Sequence, residues 1–371
     1  MIYNKLTFGS AEAHLAVFTG NGRGEAHAII STTLAGEPFA VQLASVLEAA
    51  GALRTVSGMD PVFKRYFLSD ASNQASLLPA DEPCACSVIQ QAPLNGSKVA
   101  LWMVLERDAD YRPAADGVWE NSRGRLWMGD TAHTPADSCT MSVNFLEKLA
   151  DILDSRGANL LDHCVRTWFL VRDVDVNYAG VVRGRNEVFG RHGLTRSTHF
   201  ISSTGIEGRP ADTADTVAFN ALADLSMCPG QMSFVQGASH LNPTIEYGVA
   251  FERGTCVDYA DRRHMYISGT ASIDNRGEIV HPGDIAAQTG RMLENIEVLL
   301  AEGGCRWTDV AHLIVYLRDV ADYAVVRSIF DERLPQIPRV IVQAPVCRPG
   351  WLIETECMAI ANTHKPEYAE F

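Results

Sequence analysis

NFLEKLADILDSRGANLLDHCVRTWFLVRDVDVNYAGVVRG, beginning at Asn144, and RMLENIEVLLAEGGCRWTDVAHLIVYLRDVADYAVVRS, beginning at Arg291, repeat one pattern. Phe145, Leu146, Leu149, Ile152 and Leu153 superpose on Met292, Leu293, Ile296, Leu299 and Leu300 at a shift of 147. Asp162 falls on Asp309 at the same shift, and R-D-V recurs at Arg172 and Arg318 after one inserted residue. That apolar spacing gives a helix one buried stripe. In the second copy Asp284 caps its start and Gly303-Gly304 ends it. HLIVYLRDV then reads as a strand, and Asp322 to Leu334 as a second helix. Each copy is therefore a strand pair, a helix, a strand, a helix and further strands. The fold class is α/β (α+β), with helices laid on one face of a mixed sheet.

Working outward, a chain of 371 residues suits two domains of roughly 150 residues. The Pro-, Gly- and Ser-rich segment MCPGQMSFVQGASHLNP reads as a linker over 227–243, between a degenerate unit at 1–226 and a second unit at 244–371. Ser69 to Pro93 and Asp108 to Gly117 read as loops added to the first unit. G-N-G-R-G at Gly20 to Gly24 reads as a hairpin turn, because no helix follows that would make it a phosphate loop.

Composition narrows the function classes. Hydrophobic residues make up 47% of the chain, enough for a sizeable core. Thirty-one basic against 45 acidic residues give a net charge of −14, which argues against nucleic acid and against anionic membrane surfaces as partners. No charged-then-apolar leader opens the chain, and no run approaches the roughly eighteen apolar residues of a membrane span, so a cytoplasmic protein is expected. The nine cysteines contain no C-x-x-C, and the eleven histidines form no H-E-x-x-H; reduced thiols and no metal are expected.

Chemistry concentrates near the C-terminal end, in PVCRPGWLIETECMAI from Pro345 to Ile360. The alternation places Glu354 and Glu356 on one face of a half-buried strand with Leu352, Met358 and Ile360. The first copy reads TVAFNALAD there, from Thr216, with no acid opposite Glu354 or Glu356. An acid kept in one copy of a core strand points to a site in the second. The two glutamates stand roughly 7 Å apart by strand geometry; they could share a proton, act as an acid–base pair, or pair with arginine for structure. Burial would keep a carboxyl protonated near neutrality, as a general acid requires. Arg327, Arg339 and Arg348 gather in the same part of the chain, and guanidinium groups clamp carboxylates in bidentate fashion. Cys347 could be a nucleophile, a wall residue or plain core; with no base or helix N-terminus in view, the wall role is favoured.

These residues resemble a known family. ISGTASI at Ile267, HPGDIAAQTGRMLENIEVLL, YLRDV, the IPR at Ile337 and IETECMAI are similar to the YjgF/Rid family of small trimeric proteins with a chorismate-mutase-like fold. There an arginine at the position of Arg339 and a glutamate at that of Glu354 line a pocket between subunits and serve imine hydrolysis. RTWFLVRDVDVNYA at Arg166, STGIEG at Ser203, EYGVAFERG at Glu246, DRRHMYISGTASI at Asp261 and VCRPGWLIETE at Val346 together resemble the chorismatases, tandem YjgF-like domains in one chain. The resemblance covers most of residues 120 to 360. It implies cleavage of the enolpyruvyl ether of chorismate to pyruvate, without a cofactor, with Glu354 as the catalytic acid. It places Arg327, Arg339, Arg348, Tyr247, Arg166, Gly269 and Thr270 at the substrate. A cysteine seven residues before the glutamate, as at Cys347, implies the branch that forms 3-hydroxybenzoate, with 4-hydroxybenzoate as a second product, and the small trimeric relatives make a homotrimer an expectation. The rival readings are a chorismate hydrolase giving a diene diol, a Rid-type imine deaminase and a non-catalytic metabolite-binding module.

Overall fold

The computed structural model describes residues 1–20 and 23–371, apart from the side chain of Tyr247. The chain builds the same unit three times. The first comprises β1 (Ile2–Phe8), β2 (Ala11–Phe18), β3 (Glu25–Thr32), α1 (Phe39–Ser57), β4 (Asp60–Leu68), α2 (Ala71–Gln74), β5 (Ala85–Gln90) and β6 (Val99–Glu106). The second comprises β7 (Arg112–Ala115), β8 (Val118–Glu120), β9 (Arg125–Met128), α3 (Ser138–Asp154), α4 (Leu160–His163), β10 (Cys164–Val171), α5 (Val174–Arg191), β11 (Ser202–Glu207) and β12 (Val217–Asp224). The third comprises β13 (Met232–Val235), β14 (Gly254–Asp258), β15 (Arg262–Ala271), α6 (Ile285–Glu302), β16 (Val310–Leu317), α7 (Tyr323–Arg333), β17 (Arg339–Gln343) and β18 (Ile353–Asn362).

Each sheet has six strands in the same spatial order, β1-β2-β3-β6-β4-β5, β7-β8-β9-β12-β10-β11 and β13-β14-β15-β18-β16-β17. In each, one parallel pair (β4/β5, β10/β11, β16/β17) joins otherwise antiparallel neighbours. The mixed sheet with helices on one face is thus present, in three copies rather than two. Residues 1–226 hold two of them, and the segment 227–243 is more than a linker, since it contains the edge strand β13. The two stretches read as loops contain β5, the edge strand of the first unit, and β7, the edge strand of the second. The strands flanking Gly20 to Gly24 do pair as an antiparallel hairpin, while Asn21 and Gly22 lie outside the described residues.

Local chemistry accounts for the elements. The Asp284 side chain accepts from the Ala287 N–H at the start of α6, as its spacing predicts, and Asp137 caps α3 in the same way. The central strands β10, β16 and β18 are buried on both faces; β16 reads as a near-continuous apolar run, while β10 and β18 carry buried polar residues, Arg166 and Thr167 in one and Glu354 to Glu356 in the other. Among the described residues α1 has the length and mean composition of a membrane span, although Gln42, Glu48 and Arg54 interrupt it and no continuous apolar run is present in it. It lies instead on the first sheet, with Leu43, Val46, Ala49 and Leu53 in the core.

Helices cover the outer face of each sheet, and the inner faces meet in a common core around Phe63, Trp102, Trp127 and Trp168. The edge strands close the arrangement into a ring. β5 meets the second unit through Gln90↔Arg209, β11 meets the third through Ile206↔Val346, and β17 meets the first through Pro93↔Val342.

Candidate active site

Glu354 sits on β18 between Tyr316 of β16 and Ala271 of β15, where the third unit faces β11 of the second. β15 is bulged between Ile267 and Thr270. Bulges re-aim strands beside functional sites, and this one sets Gly269 against the glutamate. A methyl group at Gly269 would overlap Glu354 Oε1, so only glycine leaves room for the carboxyl. The Gly269 N–H donates to Thr204 Oγ1 at 3.0 Å, tying the bulge to the second unit.

The lining of the narrow cleft beside Glu354 comes from both units. The second gives Tyr178 and Arg185 from α5 and Ser203 and Gly205 from β11; the third gives Val249, Phe251, Arg253, Gly269, Ala271, Ile273, Cys347, Arg348, Trp351 and Glu354. Glu354 is 5% exposed. Burial, helped by the neighbouring Glu356 carboxylate, pushes its pKa up to about 8, with Arg253 and Arg166 pulling weakly the other way. At neutral pH it is therefore mostly a neutral acid in a cleft that carries three guanidinium groups.

Two of those arginines escaped the sequence reading. Arg185 is buried on α5 over the rings of Phe169 and Phe251, and its Nε and Nη2 have no protein partner. Its signal was present: it stands on the same stripe as Val181 and Val188, and an arginine within a buried helical stripe needs a reason. Arg253 is held by Asn242, its Nη2 donating to the backbone oxygen at 3.0 Å and to Oδ1 at 3.3 Å. It belongs to EYGVAFERG, from which only Tyr247 had been taken. The indole N–H of Trp351 is a further buried donor without a partner.

The residues singled out from sequence divide. Glu354, Cys347, Arg348 and Gly269 line the cleft together, with the Arg348 guanidinium 5.1 Å from the Trp351 ring. Burial and then the Glu354 charge push the Cys347 thiol up to about 12, which leaves it neutral and fits a wall rather than a nucleophile. Thr270 is fully buried, and its hydroxyl donates to Ser268 O at 2.9 Å, so it is internal to the bulge. Arg166 stands behind the cleft. Its Nη2 donates to Glu356 Oε2 at 2.7 Å while Trp168 Nε1 donates to Glu356 Oε1 at 2.8 Å, so Glu356 is the structurally paired glutamate and Arg166 its partner.

Arg339 and Arg327 are elsewhere. Arg339 opens β17 on the side facing the first unit; its Nη1 donates to Leu334 O at 2.8 Å and its guanidinium pairs with Asp331. Those partners lie at the end of α7, whose free carbonyls draw a cation. Arg327 is exposed on α7 and also pairs with Asp331, at 3.3 Å. Tyr247 lies outside the described side chains. Among the described residues no three His, Cys, Asp or Glu side chains converge as metal ligands.

Comparison with known proteins follows the same geography. A chorismatase crystal structure superposes with a TM-score of 0.66 over 81% of this chain and 92% of its own, at 18% identity, which establishes a shared fold. The 3-aminoacrylate deaminase RutC of Acinetobacter baylyi is 36% identical over 97 residues, or 26% of this chain and 77% of that protein. A model of the family described as endoribonuclease L-PSP matches residues 255–361, the body of the third unit. Through that unit the chain belongs to the endoribonuclease L-PSP family, the YjgF/Rid family of the sequence motifs.

Proposed function

We propose that the protein is a chorismatase that cleaves the enolpyruvyl ether of chorismate, with Glu354 as general acid and Arg185, Arg253 and Arg348 receiving the two carboxylates. The observation that carries this reading is a buried, mostly neutral carboxylic acid in a cleft with three guanidinium groups. An enol ether reacts when a proton is delivered to its methylene carbon, which becomes a methyl group and leaves an oxocarbenium ion. Glu354 supplies that proton and remains as a carboxylate next to the cation. Attack by water would then release pyruvate and a diene diol. Displacement by the neighbouring ring hydroxyl, through an arene oxide, would release pyruvate and give 3-hydroxybenzoate after ring opening, with 4-hydroxybenzoate as the minor alternative. A neutral Cys347 thiol on the wall supports the second route, because it occupies space without offering a competing nucleophile.

The deaminase reading is favoured by the RutC relative, whose name states the deamination of 3-aminoacrylate. The resemblance gives that chemistry to the arginine at the Arg339 position, and Arg339 is engaged at the end of α7 instead of beside Glu354. A cytoplasmic setting accompanies the chorismatase reading, since all nine cysteines are free thiols. The homotrimer loses its motive, because three like units already close a ring within one chain; a single particle of 40.5 kDa is expected by light scattering.

Incubation of the purified protein with chorismate, a coupled assay for pyruvate and chromatography of the aromatic product test the reading. Pyruvate with 3-hydroxybenzoate, both abolished in Glu354→Gln, is expected. A diene diol would overturn the product assignment. Absence of pyruvate, with turnover of 3-aminoacrylate, would overturn the chorismatase reading itself.

A further inference from the structure

The ring repeats one juncture three times. Strand registers align Tyr316↔Glu354 with Leu170↔Ala218 and Phe67↔Ala100, so Ala218 and Ala100 hold the place of Glu354 in the other units. By the same registers, Val88 and Ile341 hold the place of Gly205 on the opposing edge strands. Between the third and first units the juncture is filled by chain: Leu94 N donates to Ile341 O at 3.0 Å and Gln343 N to Ala92 O at 2.9 Å. Between the first and second units it is open, as a cleft of about 500 Å³, mouth included, lined by Val88 and Ala218. Phe145 and Phe219, stacked with centroids 5.8 Å apart, form one wall.

This second cleft has lost the strand acid and gained polar groups from the segments around it. His133 Nδ1 donates to Thr131 O at 2.7 Å, and its Nε2 lies 2.8 Å from Asp215 Oδ2. Burial lowers the His133 pKa, but the hydrogen bonds to Thr131 O and the Asp215 carboxylate outweigh it and raise the pKa above the ordinary histidine value. Two of the lining residues, Asp215 and Thr131, only 4% and 7% exposed, each keep a buried polar atom without a partner, Asp215 Oδ1 and Thr131 Oγ1. Buried polar atoms in native proteins are nearly always satisfied, and those that are not call for a specific explanation. A ligand that donates to Asp215 Oδ1 is such an explanation. Three aspartates (Asp130, Asp212 and Asp215) against a single histidine also make this cleft unsuited to the dianion proposed for the arginine-lined cleft.

We propose that the juncture of the first and second units is a second binding site, for a small planar aromatic molecule bearing an N–H donor. Its ring lies against Phe145 and Phe219, its donor on Asp215 Oδ1, and Thr131 Oγ1 supplies the adjoining hydrogen bond. The duplicated juncture has thus kept its cavity and changed its chemistry, and the site is independent of what happens at Glu354.

Benzamidine is the probe, titrated into the full chain by saturation-transfer NMR and calorimetry, with benzoate as the anionic control. Saturable 1:1 binding in about the millimolar range is expected for so few heavy atoms. It should weaken by about tenfold in Asp215→Asn and several-fold in Thr131→Val, disappear in Ala218→Leu, and persist in Glu354→Gln; benzoate should not compete. Melting curves accompany each variant, and if Ala218→Leu fails to fold, the two polar variants decide. No saturable benzamidine binding by the native chain, binding unchanged in both polar variants, or binding lost in Glu354→Gln overturns the proposal.

Discussion

Arg339 and Glu354, fifteen residues apart in the sequence, face different neighbours: the arginine is spent on Leu334 O and Asp331 beside the first unit, and the glutamate opens into the cleft with the second. Position by position along the parallel pairs, the residue that approaches Glu354 from the place of Arg339 is Ser203 of β11. Replacing Arg339 by alanine should therefore change kcat/KM for chorismate less than about twofold, within the range of a substitution that touches neither substrate nor transition state. A loss of a hundredfold in steady-state kinetics would restore the arginine to the site.

Arg185 carries the opposite expectation. Its Nε and Nη2 have no protein partner, so Arg185→Gln removes few hydrogen bonds from the fold but would take away the charge-assisted bond to a substrate carboxylate that the proposed function gives it, of about 1.5–3 kcal/mol. The expected result is a fall in kcat/KM of roughly tenfold to a hundredfold, with the denaturation midpoint nearly unchanged. Equal activity in the variant and the native enzyme would remove Arg185 from the substrate clamp.

The protonation of Glu354 has consequences for rate and for stability. On the proposed general-acid role, a pKa of about 8 should give a kcat/KM profile that falls as pH rises through that value. Its folded pKa is raised above the 4.5 of the ordinary side chain, so the folded state holds the proton more tightly. The stabilisation from that bound proton is complete below about 4.5 and is lost as pH rises through about 8. Glu354→Gln has no such dependence: relative to the native chain it should gain stability steadily between pH 5 and 8, by a few kcal/mol at most (about 1.4 kcal/mol per pH unit). Parallel urea curves at both ends of that window would show it, and a constant difference would mean the carboxyl is ionised throughout.

Behind the cleft, the Arg166–Glu356 pair joins the second and third units. Arg166→Met leaves a buried carboxylate with only Trp168 as donor and should destabilise the chain by about 3–5 kcal/mol in denaturant titration. Glu356→Gln removes a charge that raises the Glu354 pKa, so the alkaline limb of the rate profile should move to lower pH. A limb that stays in place would show that burial alone sets the Glu354 proton.

The third unit was readable in outline because its signals are local. The Asp284 cap, the stripe from Met292 to Leu300 and the run HLIVYL each depend on side chains a few residues apart, and all three elements form there. The first unit was not readable as a repeat. Its α1 is rich in alanine with apolar residues on several faces, so it shows no narrow stripe, and its edge strand β5 lies within a stretch dense in Ser, Pro and Asp. In the site, an acid among apolar strand residues identified Glu354, but Glu356 on the same face gave the same signal and turned out to be paired with Arg166.

The sequence by itself determined which segments are helix and strand in the repeated parts, that an acid is buried in the last strand, and that cations surround that part of the chain. Only the tertiary structure decided that there are three units, that Arg185 and Tyr178 line the cleft of Glu354, and that Arg339 does not. The reason is physical: periodicity reports which face of an element is buried, a short-range property. The neighbour that buries it is chosen by the closure of three edge strands into a ring, and that closure pairs groups more than a hundred residues apart.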